Sequence, residues 1–302
     1  MIRQSVTVRI PATTANLGPG FDCLGMALNL WNEAVFSIEK SSLDISIQGE
    51  GQGVLPRNNR NHIARAFFSF FESMHLPAPA GLRIQCDNHI PLGSGLGSSA
   101  AACLAGLVAA NILSGRQASM EEILCLAAEM EGHPDNVTAA LLGGLVIVVK
   151  DQDEILTRRY DVPDLQVAVV IPEINLPTEV ARAALPLQVP LRDAVFNLGR
   201  TALVCDAIRT GDYDLLGKVM VDRLHQPYRL ALIPGGAQAL QAARQAGASA
   251  AAISGAGPGL IAFTSQAAEQ AATAMATVFE GYHIACRKLL LSSSNQGAQG
   301  LL

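Results

Sequence analysis

The stretch Pro91-Leu92-Gly93-Ser94-Gly95-Leu96-Gly97-Ser98-Ser99-Ala100 decides the fold of the chain around it. The alternation at Leu82–Cys86 predicts a strand before it, and an Ala/Leu-rich run to about Leu113 predicts a helix after it. Three glycines at alternate positions let the backbone turn its N–H groups inward, and the helix start adds free N–H groups and the positive end of its dipole. The pattern therefore predicts a phosphate-binding loop.

This loop matches neither of the two common phosphate-binding fingerprints. A Walker A loop would end in Gly-Lys followed by Ser or Thr, and a dinucleotide fingerprint would have a glycine where Ser98 stands. A plain glycine-rich connection is the alternative. It explains less, because three glycines and paired serines between a strand and a helix cost stability with no evident packing reason.

Composition limits the classes of protein that the chain can represent. Its 302 residues, half of them hydrophobic, suffice for one large domain or two moderate ones. The net charge of −5 argues against a nucleic-acid partner, which would need a basic face. No uninterrupted apolar run approaches the roughly 20 residues of a membrane helix, and six scattered cysteines indicate reduced thiols. We therefore expect a cytoplasmic protein without a membrane partner.

Strand and helix patterns are mixed along the whole chain, which indicates an α+β or α/β class. Ser119 opens a capping-box pattern that predicts a helix to about Glu131. Helical spacing also predicts helices over Leu191–Thr210 and Tyr213–Leu224. The polar stretch Lys150–Asp161 is the predicted boundary between two domains, residues 1–160 and residues 161–302.

A second motif, Pro11–Asp22, joins the first predicted strand to a further apolar segment. Small residues and turn formers surround Asn16 and Asp22. A buried turn would leave these two polar groups unpaired unless they bond each other, the backbone or a ligand. An ordinary Asx-stabilised turn explains the motif about equally well.

A third motif, Glu129–Asn136, places two carboxylates, an imidazole and an amide at a predicted helix end. A carboxylate here could hold Mg²⁺ opposite the glycine-rich loop, because Mg²⁺ prefers one or two carboxylates together with phosphate oxygens and water. A polar C-terminal turn is the alternative interpretation. The small-residue turn Ser254–Gly259 is likewise explained by a close ligand or by a tight hairpin.

Two arginines complete the candidates. Arg182 lies one helical turn after Thr178, which could cap a helix, and Arg229 precedes an apolar run. Either guanidinium could hold a carboxylate through two parallel hydrogen bonds, although a lone arginine is usually a solvated surface residue.

Taken together, the motifs at Pro11–Asp22, Pro91–Ala100 and Ser254–Pro258 resemble the GHMP kinases in residues, order and spacing. The resemblance spans nearly the whole chain. It implies an α+β fold of two domains, with a ribosomal S5-like N-terminal half and a ferredoxin-like C-terminal half. It also implies ATP-dependent phosphorylation of an alcohol group, with ATP and Mg²⁺ as cofactors.

Within that family, Thr14–Asp22, His133–Val137 and Ala181–Pro186 are similar to the members that phosphorylate L-homoserine on the way to threonine. This similarity implies L-homoserine as the small-molecule substrate, and it allows a homodimer. It assigns the metal to Ser99 and Glu129, with Glu129 chosen over Glu131. It places the substrate among Asn16, Asp22, His133, Asn136, Thr178, Arg182 and Arg229, with Asp22 as the catalytic residue. It assigns nucleotide binding to Asn61, near the adenine, and to Pro91, Leu92, Gly93, Ser94, Gly95, Leu96, Gly97, Ser98, Ser99, Ala100 and Ala101.

Some GHMP kinases activate the hydroxyl with an Asp–Lys pair, but no lysine lies near Pro11–Asp22 and the nearest one downstream is Lys40. We therefore expect catalysis mainly by positioning and charge neutralisation. Two alternatives remain at this stage. One is another member of the family, such as a mevalonate kinase. The other is a silent nucleotide-binding protein on the same fold.

Overall fold

The computed structural model describes residues 4–152 and 154–301, and the chain is α+β as expected. The strands are β1 Ser5–Ala15, β2 Leu24–Glu39, β3 Ser42–Gly49, β4 Gly81–Asn88, β5 Leu145–Asp151, β6 Glu154–Tyr160, β7 Gln166–Pro172, β8 Ala250–Ile253, β9 Leu260–Phe263, β10 Cys286–Ser292 and β11 Gln299–Leu301. The helices are α1 His62–Ser73, α2 Ser98–Leu113, α3 Met120–Glu131, α4 Asp135–Leu142, α5 Thr178–Ala183, α6 Leu191–Thr210, α7 Tyr213–Val219, α8 Gln226–Leu230, α9 Gly236–Gln245 and α10 Ala268–Gly281.

The first sheet has the order β11-β1-β2-β4-β3, and β5 and β6 extend it from the start of β2. All its pairs are antiparallel except β3 with β4. Helices α1 and α2 pack closely because Gly106 has no side chain: a Cβ there would lie 2.4 Å from the carbonyl oxygen of Ile63. This packing fixes the start of α2, and with it the end of the glycine-rich loop.

The second sheet is antiparallel, with the order β10-β7-β9-β8. Helix α10 covers it with an apolar face of Ala271, Ala272, Met275 and Phe279, all fully buried. Burial of side chains of this size contributes about 1.5–3 kcal/mol for each of the larger ones. The short hairpin β8–β9 carries the turn Ser254–Gly259 to the first sheet.

Several predicted elements differ from the structure. The polar stretch Lys150–Asp161 contains strand β6, which pairs with β5. Helix α7 ends at Val219, before the predicted Leu224, and two short helices, α4 and α8, fall outside the prediction. Thr178 is the first residue of α5 and not its cap, because Pro177 takes the cap position.

The division into residues 1–160 and 161–302 stays a proposal. Strand β11 belongs to the second of these segments but pairs with β1 of the first. No helix within residues 4–152 and 154–301 is long and apolar enough to cross a membrane.

Candidate active site

The glycine-rich loop between β4 and α2 has the left-handed backbone that its sequence predicts. Gly93, Gly95 and Gly97 have φ values of +59°, +75° and +72°. Such values favour glycine because a side chain would meet the following carbonyl oxygen. Gly97 is the N-cap of α2, and no side chain caps this helix start. The first N–H groups of α2 are therefore available to an anionic ligand.

The three glycine-containing motifs of the sequence meet in space. The hydroxyl oxygen of Ser254 lies 2.8 Å from the carbonyl oxygen of Gly95 in the loop. In the motif Pro11–Asp22, Asn16 donates its side-chain amide to the carbonyl of Gly255 at 2.6 Å. The C-terminal turn thus joins the N-terminal motif to the glycine-rich loop through two hydrogen bonds, one buried and one partly buried. This explains why only small residues occupy the turn.

A cavity of about 610 Å³ opens where these segments meet. It has the size of a small-molecule site and a wall rich in polar groups. From the substrate prediction, Asn16, Asp22, His133, Asn136, Thr178, Arg182 and Arg229 all line it. The loop contributes Leu92, Gly93, Ser94, Gly95, Gly97, Ser98, Ser99 and Ala100.

A second cavity, of about 280 Å³, adjoins the first and shares Ser98 and Ser99 with it. Its walls are more apolar, and it is lined by Asn61 and Ala101, two of the residues that the sequence analysis assigned to the nucleotide. The Asn61 side chain caps α1 by accepting from the Ile63 amide at 3.0 Å, and its NH₂ group donates to a backbone carbonyl. Asn61 therefore shapes this cavity by fixing the start of α1.

Pro91 and Leu96 line neither of these two cavities. They act on the loop through their carbonyl groups. The Pro91 carbonyl accepts from the Ser94 hydroxyl at 2.7 Å, and the Leu96 carbonyl accepts from the Thr13 amide at 3.0 Å. The Leu96 side chain is fully buried in the core. Both residues therefore hold the loop's shape and do not line either cavity.

The structure contradicts the choice of Glu129 as the carboxylate beside Ser99. The Ser99 hydroxyl donates to Oε1 of Glu131 at 2.9 Å, and Glu131 lines the larger cavity. Glu129 is exposed and lies outside that lining. The two residues are two positions apart on α3, so about 200° of helical rotation separates their side chains. Glu131 is the carboxylate that could hold a metal here.

Asp22 and Arg182 form a two-pronged ion pair at the cavity wall. The guanidinium donates to both carboxylate oxygens, at 2.9 Å and 2.8 Å. These hydrogen bonds raise the pKa of Arg182 above its ordinary value. Asp22 itself sits at a φ of +56°, and its N–H donates to the Asn16 side chain at 2.9 Å. Asn16 thus holds Asp22 in an unfavourable backbone conformation, which points to a role for its carboxylate.

Arg229 is a buried cation, 1% exposed, whose polar partners are neutral. Its guanidinium lies 3.2 Å from the Gly255 carbonyl, 3.4 Å from the Ala181 carbonyl and 3.4 Å from Nδ1 of His225. Burial, and then the charge of Arg182, lower its pKa. Among the described residues no carboxylate forms an ion pair with it. A buried guanidinium at a cavity wall without a carboxylate partner favours an anionic ligand.

His133 belongs to a polar cluster at the start of α4. Its Nδ1 lies 3.0 Å from Oδ1 of Asp135, and this hydrogen bond raises the pKa of His133. The same carboxylate oxygen accepts from the Asn136 backbone amide at 2.7 Å. Asn136 in turn accepts from the Thr13 hydroxyl at 2.7 Å. His133, Asp135 and Asn136 thus form a connected network at the cavity wall.

Sequence reasoning assigned no role to two residues that contribute to the site, Asp135 and His62. Asp135 lines the cavity and orders His133, although it lay in a motif already singled out. The turn residues Gly255 to Gly257, for which a close ligand was one of two explanations, line it as well. His62 lies 2.6 Å from Oε1 of Glu131 and lines both cavities. Its only signal was its position next to Asn61.

A glycine-rich loop at an uncapped helix start, facing a carboxylate and two arginines across a small-molecule cavity, is the arrangement expected of a small-molecule phosphotransferase. Two family models match the chain: "GHMP kinases N terminal domain" over residues 61–144 and "GHMP kinases C terminal" over residues 205–281. The chain belongs to the GHMP kinase family.

Curated relatives narrow the comparison within this family. The chain is 47% identical over 292 residues to the homoserine kinase of Moorella thermoacetica, covering 96% of this chain and 98% of the relative. It is 44% identical to the homoserine kinase of a Synechococcus species, with 97% of each chain covered. The crystal structure of homoserine kinase from Cytophaga hutchinsonii superposes with a TM-score of 0.86 at 31% identity, covering 100% of this chain and 98% of that one.

Proposed function

We propose that this chain is a homoserine kinase, which transfers the γ-phosphate of ATP to the side-chain hydroxyl of L-homoserine and releases O-phospho-L-homoserine and ADP. The observation that carries the proposal is the buried Arg229, which lacks a carboxylate partner among the described residues and lies beside the Asp22–Arg182 pair at one cavity wall. The full-length similarity to homoserine kinases supports the same substrate.

The charges of this wall match an amino acid in its zwitterionic form. Arg229 binds the α-carboxylate, because that anion supplies the partner which the buried guanidinium lacks. Asp22 holds Arg182 in place through their hydrogen bonds. The carboxylate of Asp22 also offers negative charge to the α-ammonium group of the substrate. Asn16, His133, Asn136 and Thr178 complete the wall and orient the substrate side chain.

The nucleotide extends from the smaller cavity into the larger one. The adenine occupies the more apolar cavity near Asn61, and the phosphates meet the loop amides from Gly93 to Ser99. The oxygen atoms of Ser99 and Glu131, 2.9 Å apart, suit a hard cation such as Mg²⁺. When bound, Mg²⁺ would neutralise charge on the phosphate oxygens. In this proposed metal site, Glu131 is the carboxylate ligand, in place of Glu129 as the sequence analysis had it.

Asp22 positions the substrate and is at most a weak base. Arg182 donates to both of its oxygens, so neither is free to accept from the substrate hydroxyl while the pair is intact. Phosphoryl transfer needs little proton removal before the bond to the leaving group loosens, so orientation of the hydroxyl supplies most of the rate. The loop N–H groups stabilise the charge that develops on the transferred group.

The test is ADP release with Mg²⁺-ATP and, in parallel, L-homoserine, mevalonate, L-serine or galactose. We expect release with L-homoserine alone. Release with mevalonate instead would retain the fold and the loop but overturn the substrate wall. ATP binding without turnover on any of the four would favour the silent nucleotide-binding alternative.

A homodimer is a further part of the proposal. Helix α6 presents Leu191, Val195 and Leu198 to solvent at helical spacing, with exposures of 80%, 59% and 72%. Exposed apolar rows of this kind usually mark a contact surface. Sedimentation velocity should show a dimer that Leu198→Glu dissociates, and a parent protein that sediments as a monomer would contradict it. The cytoplasmic location and the absence of a nucleic-acid partner stay predictions from composition.

A further inference from the structure

Three helix ends converge behind the glycine-rich loop and bring together three metal-binding side chains. His62 is the first residue of α1, Cys103 lies one turn into α2 after Ser99, and Glu131 is the last residue of α3. One ligand atom from each of these three residues lies within 4.8 Å of the other two. Helix packing alone does not require this combination of imidazole, thiol and carboxylate.

The donor set differs in chemistry from the oxygen pair proposed for Mg²⁺. Imidazole nitrogen and cysteine sulfur are the ligands of Zn²⁺ and its neighbours in the first transition row, whereas Mg²⁺ prefers oxygen. The thioether of Met130 lies 3.8 Å from the Cys103 sulfur, which adds a second soft atom nearby. Tetrahedral Zn²⁺ separates its nitrogen, oxygen and sulfur ligands by about 3.3–3.5 Å. Small side-chain adjustments therefore suffice to bring these ligand atoms to that spacing.

We propose that His62, Cys103 and Glu131 bind a late first-row divalent cation such as Zn²⁺, with Ser99 or a water molecule as the fourth ligand. Glu131 then belongs to two overlapping sites, because the same carboxylate is proposed to hold Mg²⁺. A bound Zn²⁺ withdraws Glu131 from the Mg²⁺ position. Zn²⁺ is consequently an inhibitor of the phosphoryl transfer at concentrations far below those of Mg²⁺.

Metal binding releases one proton. Burial, reinforced by the Glu131 carboxylate, raises the pKa of the Cys103 thiol, so the metal-free protein holds it protonated. As the metal–sulfur bond forms, the S–H bond breaks and its proton passes to the buffer.

The experiment titrates the metal-free full-length chain with Co²⁺, which reports thiolate coordination by a near-ultraviolet charge-transfer absorption. We expect one Co²⁺ per chain with this absorption, and displacement by Zn²⁺. Cys103→Ala should abolish the absorption, and His62→Gln should weaken Co²⁺ binding at least about tenfold. Cys86→Ala is the matched control, because Cys86 is also a buried free thiol but lies in β4 outside the cluster. Circular dichroism establishes that each variant is folded.

The absence of the charge-transfer band in the parent would overturn the proposal, as would its persistence in folded Cys103→Ala or its loss in folded Cys86→Ala. Because the readout is spectroscopic, it does not depend on the substrate of the kinase. Zn²⁺ inhibition of ADP release, relieved in Cys103→Ala, is the second expected result. Equal inhibition of both proteins would place the inhibitory ion elsewhere.

Discussion

At the scale of single residues, the Asp22–Arg182 pair shows how two weakly informative positions become a site. The residues lie 160 positions apart, yet the guanidinium contacts both carboxylate oxygens. The planar fork of arginine makes this geometry possible, and a lysine ammonium cannot reproduce it. Arg182 is consequently the residue at which a substitution that keeps the charge is most informative.

We predict that Arg182→Lys lowers kcat/KM for L-homoserine roughly 10- to 100-fold, because it loses one charge-assisted hydrogen bond worth about 1.5–3 kcal/mol. Steady-state kinetics at saturating Mg²⁺-ATP measure this effect. Arg192→Lys is the control, since Arg192 is an exposed arginine at the start of α6. If Arg182→Lys keeps the parental kcat/KM, Arg182 does not bind the substrate.

The two glutamates at the end of α3 give a matched pair of variants. We predict that Glu131→Gln raises the Mg²⁺ concentration for half-maximal activity at least about tenfold, because it removes a charged oxygen ligand. Glu129→Gln should leave that concentration unchanged, since its side chain is exposed on another face of the helix. Mg²⁺ titrations at fixed ATP compare the two variants. The reverse order of effects would restore Glu129 as the ligand.

At the scale of elements, the sequence predicts best where the local signal is strong. The capping box at Ser119 is present, with the Ser119 hydroxyl accepting from the Glu122 amide, and helix α6 has its predicted bounds. Strand β4, Gly81–Asn88, also contains the segment Leu82–Cys86 that was predicted as a strand. These elements are set by caps, glycines and apolar periodicity, all of which are local.

Other features of the site could not be predicted because distant parts of the chain decide them. The choice between Glu129 and Glu131 depends on the rotational phase of α3 against α2, which a two-residue spacing does not reveal. Strand β6 has a polar sequence and forms because β5 pairs with it. Two polar partners of Arg229, the carbonyls of Ala181 and Gly255, come from segments that meet it only in the folded chain.

The glycine-rich loop allows a test of why each glycine is there. We predict that Gly97→Ala destabilises the protein more than Gly93→Ala. Both have positive φ, which costs an alanine about 1–2 kcal/mol. At Gly97 a Cβ would also lie 2.1 Å from the Thr13 hydroxyl, whereas the space around a Cβ at Gly93 is open. Urea unfolding of both variants measures the difference in stability. Equal losses of stability would show that only the backbone strain at positive φ destabilises the variants.

At the scale of the whole molecule, His225 ties the two halves of the chain together. It is fully buried and stacks on Phe21 with ring centroids 5.1 Å apart. Its Nε2 donates to the Gly18 carbonyl at 2.7 Å, so Nδ1 is the acceptor for Arg229. This arrangement requires the neutral imidazole, and burial lowers the pKa of His225 accordingly.

Stability should therefore depend on this histidine below neutral pH. In the unfolded chain His225 takes up a proton near its ordinary pKa of about 6.5, while the folded chain resists protonation. The contribution of neutral His225 to stability is complete above that pH. It is lost as the pH falls towards the lowered pKa that His225 has in the folded chain. We predict that the free energy of unfolding declines less steeply below pH 6.5 in His225→Gln. If the free energy of unfolding of His225→Gln declined as steeply as that of the parent, the prediction would be wrong. His89→Gln serves as the control, because His89 is exposed.

The contact of the turn at Ser254 and Gly255 with the glycine-rich loop bears on whether the enzyme can be divided. A gene cut after codon 160 would yield one fragment with the anion loop and another with the turn that braces it. The first fragment would also leave β1 without its neighbour β11, exposing a sheet edge. We expect each fragment alone to lack kinase activity and co-expression to recover it only on reassembly. The two fragments could therefore serve as a split reporter, in which ADP production indicates that they have reassembled.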